Sequence, residues 1–224
     1  MIKSLLEVKI FKLGILVNSL FLASSINAQL SSLENTTNYF LDSPEATKYV
    51  VIMAGPTVGE TNLNQFRQWA FSLHDILARD YGYTSETITL LYANGVSETN
   101  IDGRVDGATN FSGIEKGLSQ LASKVKTGDQ ITLYLIGHGS GADEEAKFNI
   151  VGPDITGAEF AQMLDQFDEQ DLIIVNTTSA SYGFSTSLSG EGRVVISSTR
   201  SPSERYDPIF SRYFIEALDN RNGD

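Results

Sequence analysis

The sequence predicts an α/β protein: a three-layer α/β/α sandwich with a mostly parallel central sheet. Three observations carry that expectation. Residues 49–54 (Y-V-V-I-M-A) and 131–136 (I-T-L-Y-L-I) are built from apolar or β-favouring residues on both faces, as strands covered on both sides are. Such runs alternate with segments whose apolar residues recur at three- and four-residue steps, and crossover helices of that kind pack onto the sheet faces. The run from Ile131 leads directly into Gly137, His138 and Gly139, and in sheets of this class ligands gather outside the carboxyl ends of the strands.

The 224-residue chain opens on what reads as a signal peptide over residues 1–28. Lys3, Lys9 and Lys12 give a basic start, residues 13–24 are apolar but short for a bilayer, and Ile26, Asn27 and Ala28 supply a small-residue cleavage site. The expected product is exported, periplasmic or extracellular, with no stable membrane span after cleavage. Cysteine is absent, so packing alone holds the fold and thiol chemistry is excluded. A net charge of −12 argues against nucleic acid or an anionic membrane as partner.

Residues 29–48 read as a flexible polar lead-in, and the domain occupies 49–224. Gly55, Pro56 and Gly59 end the first strand. Across residues 62–79, Phe66, Trp69, Leu73, Ile76 and Leu77 mark an amphipathic helix closed near Gly82, with His74 on it as a structural or surface residue. Residues 87–92 form a second strand. Residues 93–111 read as a loop, in which Asp102 and Asp106 match no standard calcium spacing. Ser112 and Glu115 make a capping box that opens a helix through Val125.

After the third strand, Asp143, Glu144 and Glu145 follow the histidine turn without a second histidine or a metal-ligand spacing. Thr156 and Glu159 form another capping box, for a helix through Phe167. Residues 172–175 make a fourth strand, 176–184 (N-T-T-S-A-S-Y-G-F) a hydroxyl-rich turn, and 193–198 a fifth strand. Asp207 caps a last helix with Pro208 in its first turn. No G-x-G-x-x-G or phosphate loop follows the first strand, so no cofactor is expected.

In such a sheet the third and fourth strands end on one edge, which brings His138 near the 176–184 turn. The order strand, G-H-G, helix, strand, small polar turn resembles the legumain-like peptidases, relatives of the caspases. In those enzymes a histidine from a G-H-G or D-H-G turn activates a cysteine at the end of the next strand. The opening Y-V-V-I-M-A-G is similar to the family's first strand, F-R-Q-W-A-F-S-L-H-D-I-L to its first helix, and I-G-H-G-S to its histidine turn. Pro202 and Glu204 in S-P-S-E-R are similar to its N-P-x-E-S segment. The resemblance implies a caspase-like fold, a peptide or protein ligand, and a natural chain that continues past Asp224.

The chain departs from that family at the nucleophile. Where the family carries N-x-C, this sequence reads Asn176, Thr177, Thr178; Thr178 takes the position of the missing cysteine, and a shift of one residue puts Thr177 or Ser179 there. A threonine hydroxyl is far harder to ionise than a thiol, whose pKa lies near ~8.5, and in mid-chain it lacks the N-terminal amine that known threonine nucleophiles use as base. The family's pocket for an asparagine side chain uses an arginine at the start of the first helix, for which Arg67 is the nearest candidate here, slightly out of step. Arg205 replaces the serine after the motif glutamate, and the histidine-orienting asparagine corresponds to Asn62 or Asn64.

One reading is therefore a pseudopeptidase that binds a peptide or protein in a remnant cleft. His138, Gly139 and Thr178 hold its former catalytic positions, and Arg67, Asn176, Thr177, Ser179 and Glu204 line it. The alternative is a working hydrolase with Thr178 or a neighbouring Ser or Thr as nucleophile, His138 as base and N–H groups near Gly139 as oxyanion donors. A third reading is an interaction domain whose cleft is idle. The hydrolase requires a hydroxyl oxygen within hydrogen-bond reach of His138.

Overall fold

The alternation of β1 sorts its side chains to two sides. Val50, Ile52 and Ala54 enter one core and Val51 and Met53 the other, and all five are buried. A strand of this kind needs a layer of helices on each face. The computed structural model describes residues 45–56, 60–95, 103–201, 204 and 209–222 and supplies both layers. The expected signal peptide and lead-in through residue 44, with Gly59, Asp102, Pro202, Arg205, Asp207 and Pro208, lie outside the described residues. No helix among those described is long and apolar enough to cross a membrane.

The elements run β1 (Lys48–Ala54), α1 (Glu60–Asp80), β2 (Ile88–Tyr92), α2 (Phe111–Ala122) and β3 (Gln130–Ile136). A small excursion follows: β4 (Gly139–Ser140), β5 (Lys147–Phe148) and β6 (Ile155–Thr156). The chain then forms α3 (Gly157–Leu164), β7 (Asp171–Asn176), α4 (Ser181–Leu188), β8 (Arg193–Ser197) and α5 (Phe210–Leu218).

The central sheet has the order β2-β1-β3-β7-β8, and every pairing in it is parallel. The protein is an α/β sandwich. Phe66, Leu73 and Ile76 of α1 and Ile215 of α5 pack on one sheet face. Ile114 and Leu118 of α2, Phe160 and Leu164 of α3, and Phe184 and Leu188 of α4 pack on the other. The chain reverses its direction of travel across the sheet between β1 and β3. That reversal opens a crevice at the carboxyl ends of the two strands.

Several expectations are corrected. The helix expected from Ser112 begins at Phe111, because Asn110 is its cap and accepts a hydrogen bond from the Gly113 N–H at 2.7 Å. Asparagine is as good a cap as serine, and its position leaves Ser112 inside the first turn. α2 and α3 end at Ala122 and Leu164, short of Val125 and Phe167. The second half of the 176–184 turn is helical, since α4 starts at Ser181. The antiparallel sheet β4-β5-β6 is an addition that the sequence does not predict.

The capping box at Thr156 forms in full. The Glu159 N–H donates to Thr156 Oγ1 at 3.2 Å, and the Thr156 N–H donates to Glu159 Oε2 at 2.8 Å.

Candidate functional site

The site is built on two glycines that let backbones meet at the crevice. The Gly55 N–H donates to the Ile136 carbonyl at 2.9 Å, extending the ladder past the end of β1. A Cβ on Gly55 would collide with the Asn149 carbonyl oxygen. Gly137 has φ +146°, a backbone conformation that favours glycine, and turns the chain sharply out of β3. The His138 carbonyl accepts from the Asn149 N–H at 3.0 Å, which anchors the turn to the chain just past β5. The imidazole is half-buried and stands edge-on to Phe66, with ring centroids 4.9 Å apart.

The strand ends of β3 and β7 meet as the sequence order implied. The Gly139 N–H donates to Ser179 Oγ at 3.1 Å, and the Ser179 hydroxyl donates back to the Gly139 carbonyl at 3.0 Å. A Cβ on Gly139 would lie 2.6 Å from Ala180 N and 2.9 Å from Thr178 Oγ1. Only glycine fits that contact without displacing backbone.

The three candidate hydroxyls all donate away from the imidazole. Thr177 Oγ1 donates to the Leu135 carbonyl at 2.8 Å, Thr178 Oγ1 to Asn176 Oδ1 at 2.8 Å, and Ser179 Oγ to Gly139. Thr178 is 0% exposed, and its N–H also donates to Asn176 Oδ1, at 3.0 Å. The other end of that amide, Asn176 Nδ2, is buried without a hydrogen-bond partner. The Gly139 N–H, proposed from sequence as an oxyanion donor, is committed to Ser179.

The remaining candidates lie elsewhere. Arg67 is exposed on α1 with its guanidinium 5.4 Å from the Phe71 ring centroid, in a recess shared with Arg104 and Asp75. Glu204 binds Arg200, accepting its N–H at 2.9 Å and its Nε at 2.7 Å, and the Arg200 N–H holds the carboxyl below its ordinary range. Asn62 and Asn64 lie within α1, their side chains outside those described. His74 is half-buried on α1, 3.4 Å from Asp75. Asp106 anchors its loop by accepting from the Leu90 N–H at 2.8 Å. Asp143, Glu144 and Glu145 form an exposed 3-10 turn, and no group of three or more His, Cys, Asp or Glu among the described residues is placed to hold a metal ion.

A cavity beside His138 was not expected from the sequence. About 200 Å³ in volume, it lies between α1 and the ends of β3 and β7, lined by Phe66, Trp69, Gly137, Thr177, Ile209 and Ser211. Gln65 and Trp69 also line a groove of about 670 Å³ between α1 and α5, so the two spaces adjoin. The signal was present in part: α1 leaves β1 at the crevice, so its first apolar residues must sit over the strand ends.

Fold and site together define an α/β sandwich protein with a histidine turn at its topological switch point. No family model matches the chain, and no curated protein matches it. Among solved structures, protein GSU0716 from Geobacter sulfurreducens aligns with a TM-score of 0.41 at 10% identity, over 79% of this chain and 66% of that one. The chain thus spans slightly less than two thirds of that protein's length. At this similarity nothing of that protein's role carries over.

Proposed function

We propose that this chain is an exported legumain-like or caspase-like domain that has become a pseudopeptidase and binds a peptide or protein at the carboxyl ends of β3 and β7. The observation that carries the reading is the state of the Thr178 hydroxyl. It is fully buried, and its proton is given to Asn176 rather than to His138. An acyl carbon cannot approach an oxygen with no exposed surface. Even a misplacement of about 1 Å costs on the order of 100-fold in rate. The Gly139 N–H is likewise engaged, by Ser179, which leaves a developing oxyanion without that stabilisation. A binding site needs none of this; it needs a concave surface with apolar and polar lining, which the cavity beside His138 offers.

Specificity for an asparagine side chain is not part of the proposal, because Arg67 faces Phe71 and lines a different recess. The test is incubation of the purified protein with a mixed peptide library, read by mass spectrometry, beside His138→Ala and Thr178→Ala. The expected result is no cleavage above the His138→Ala background. Cleavage abolished by both substitutions overturns the proposal and establishes a hydroxyl nucleophile.

A further inference from the structure

The cavity beside His138 has a lining that selects by charge and by size. None of its lining side chains among the described residues is ionisable. The Thr177 hydroxyl has already given its proton to Leu135, and Ser211 is 2% exposed. A charged group entering this space would lose water and find no opposite charge among those side chains, which is strongly unfavourable. The volume of about 200 Å³ lies below the roughly 300–1,000 Å³ of sites for drug-sized ligands. It has room for one large side chain.

The mouth carries an apolar surface of its own. Ile209, which lines the cavity, is 64% exposed, and Tyr213, four residues on, is 55% exposed. They are the two most exposed large apolar side chains among the described residues. A spacing of four along a helix places side chains on one face. Grouped exposed apolar residues at the rim of a pocket mark an interaction site more than scattered ones do.

Charge supplies the rest of the ligand's description. The chain carries a net charge of −12. A field of that sign gathers cationic ligands.

We infer that the cavity takes a single bulky uncharged side chain, phenylalanine- or leucine-like, presented by a peptide with basic flanking residues. The inference rests on the reading of the strand ends as a peptide site. It sets the anchor apart from the asparagine expected of a legumain-like pocket.

Trp69 is the only tryptophan in the chain and lines the cavity, so its fluorescence reports occupancy without any need for activity. The probes are acetylated, amidated pentapeptides Lys-Ala-Xaa-Ala-Lys with Phe, Leu, Ala, Asn, Asp or Lys at Xaa, titrated into the full chain at low salt. Calorimetry runs in parallel. The Phe and Leu peptides should shift Trp69 emission and bind roughly tenfold or more tighter than the Ala, Asn and Asp peptides, the scale on which apolar pockets discriminate. Added salt should weaken their binding.

Ile209→Lys, at an exposed position, should lower the Phe peptide's affinity about tenfold while leaving the thermal unfolding curve unchanged. Equal or tighter binding of the Asn, Asp or Lys peptide overturns the inference. So does the absence of any Trp69 response to all six peptides. A Phe peptide that is cut as well as bound keeps the apolar anchor and sinks the pseudopeptidase reading. Binding with no preference at Xaa does the reverse.

Discussion

Thr178 shows how one buried hydroxyl is closed off by its own neighbours. A threonine hydroxyl at the end of a buried strand must find an acceptor, since burying it unpaired costs on the order of 1–3 kcal/mol. The acceptor it finds is Asn176 Oδ1, two residues back, which also takes the Thr178 N–H. That local loop holds the side chain inward, and the contact of Gly139 with Ala180 and Thr178 closes over it. If burial sets the reactivity of this position, a thiol placed there should be unreactive too. Thr178→Cys is therefore expected to resist iodoacetamide in the native protein, at least ~100-fold more slowly labelled than in urea, because buried thiols are inert. Rapid native labelling that His138→Ala abolishes would show instead that the imidazole can reach and activate this position.

At the scale of elements, local signals were legible where a single hydrogen-bond pattern decides them. The capping box of α3 is such a case. Glu159 is held below its ordinary carboxylate range by hydrogen bonds from the Thr156 backbone N–H and hydroxyl. A lowered folded-state pKa means that its contribution is present above the ordinary value of 4.5 and is lost as pH falls through the folded value. Thr156→Ala should therefore destabilise the protein by about 0.5–2 kcal/mol at neutral pH. In urea titrations the gap to the unsubstituted protein should narrow below pH 4.5; a gap that stays constant or widens in acid would contradict the assignment.

The strands were legible for the same kind of reason: β1 and β3 each begin one residue before their sequence expectation, and β7 extends one residue beyond it at both ends. The strands β4, β5 and β6 were not, because two residues carry no period. The helix α4 (S-Y-G-F-S-T-S-L) was hidden by its hydroxyls and by Gly183, which reads as a breaker. That glycine serves packing, since a Cβ there would lie 2.8 Å from the Asp143 backbone nitrogen. The meeting of the ends of β3 and β7, where Gly139 bonds Ser179, followed from strand order alone. The cavity did not, because periodicity tells which face of α1 is buried and not which strand ends that face overhangs.

For the whole molecule, the sheet order places the site in its best-supported part. β1 and β3 are central, paired on both sides, and covered by both helix layers, so the crevice between their ends sits on the most constrained backbone. The far edge is different. β8 is terminal in the sheet, and Val194 is 40% exposed. The Leu172 N–H donates to the Gly192 carbonyl and the Ser198 N–H to the Asn176 carbonyl, so the even-numbered residues of this strand face β7. Parallel ladders alternate, which turns the Val195 and Ser197 N–H groups outward. An edge with free backbone donors exchanges them readily unless something covers it. Hydrogen exchange followed by NMR should then show Leu133 and Ile52 among the slowest amides, Val194 and Ile196 protected, and Val195 and Ser197 far faster than either neighbour. Protection of Val195 equal to that of Leu133 would mean that the outer side of β8 is paired in solution. Dilution would identify the cover, since protection lost as the protein is diluted requires a second copy, and protection that persists requires a segment of the same chain.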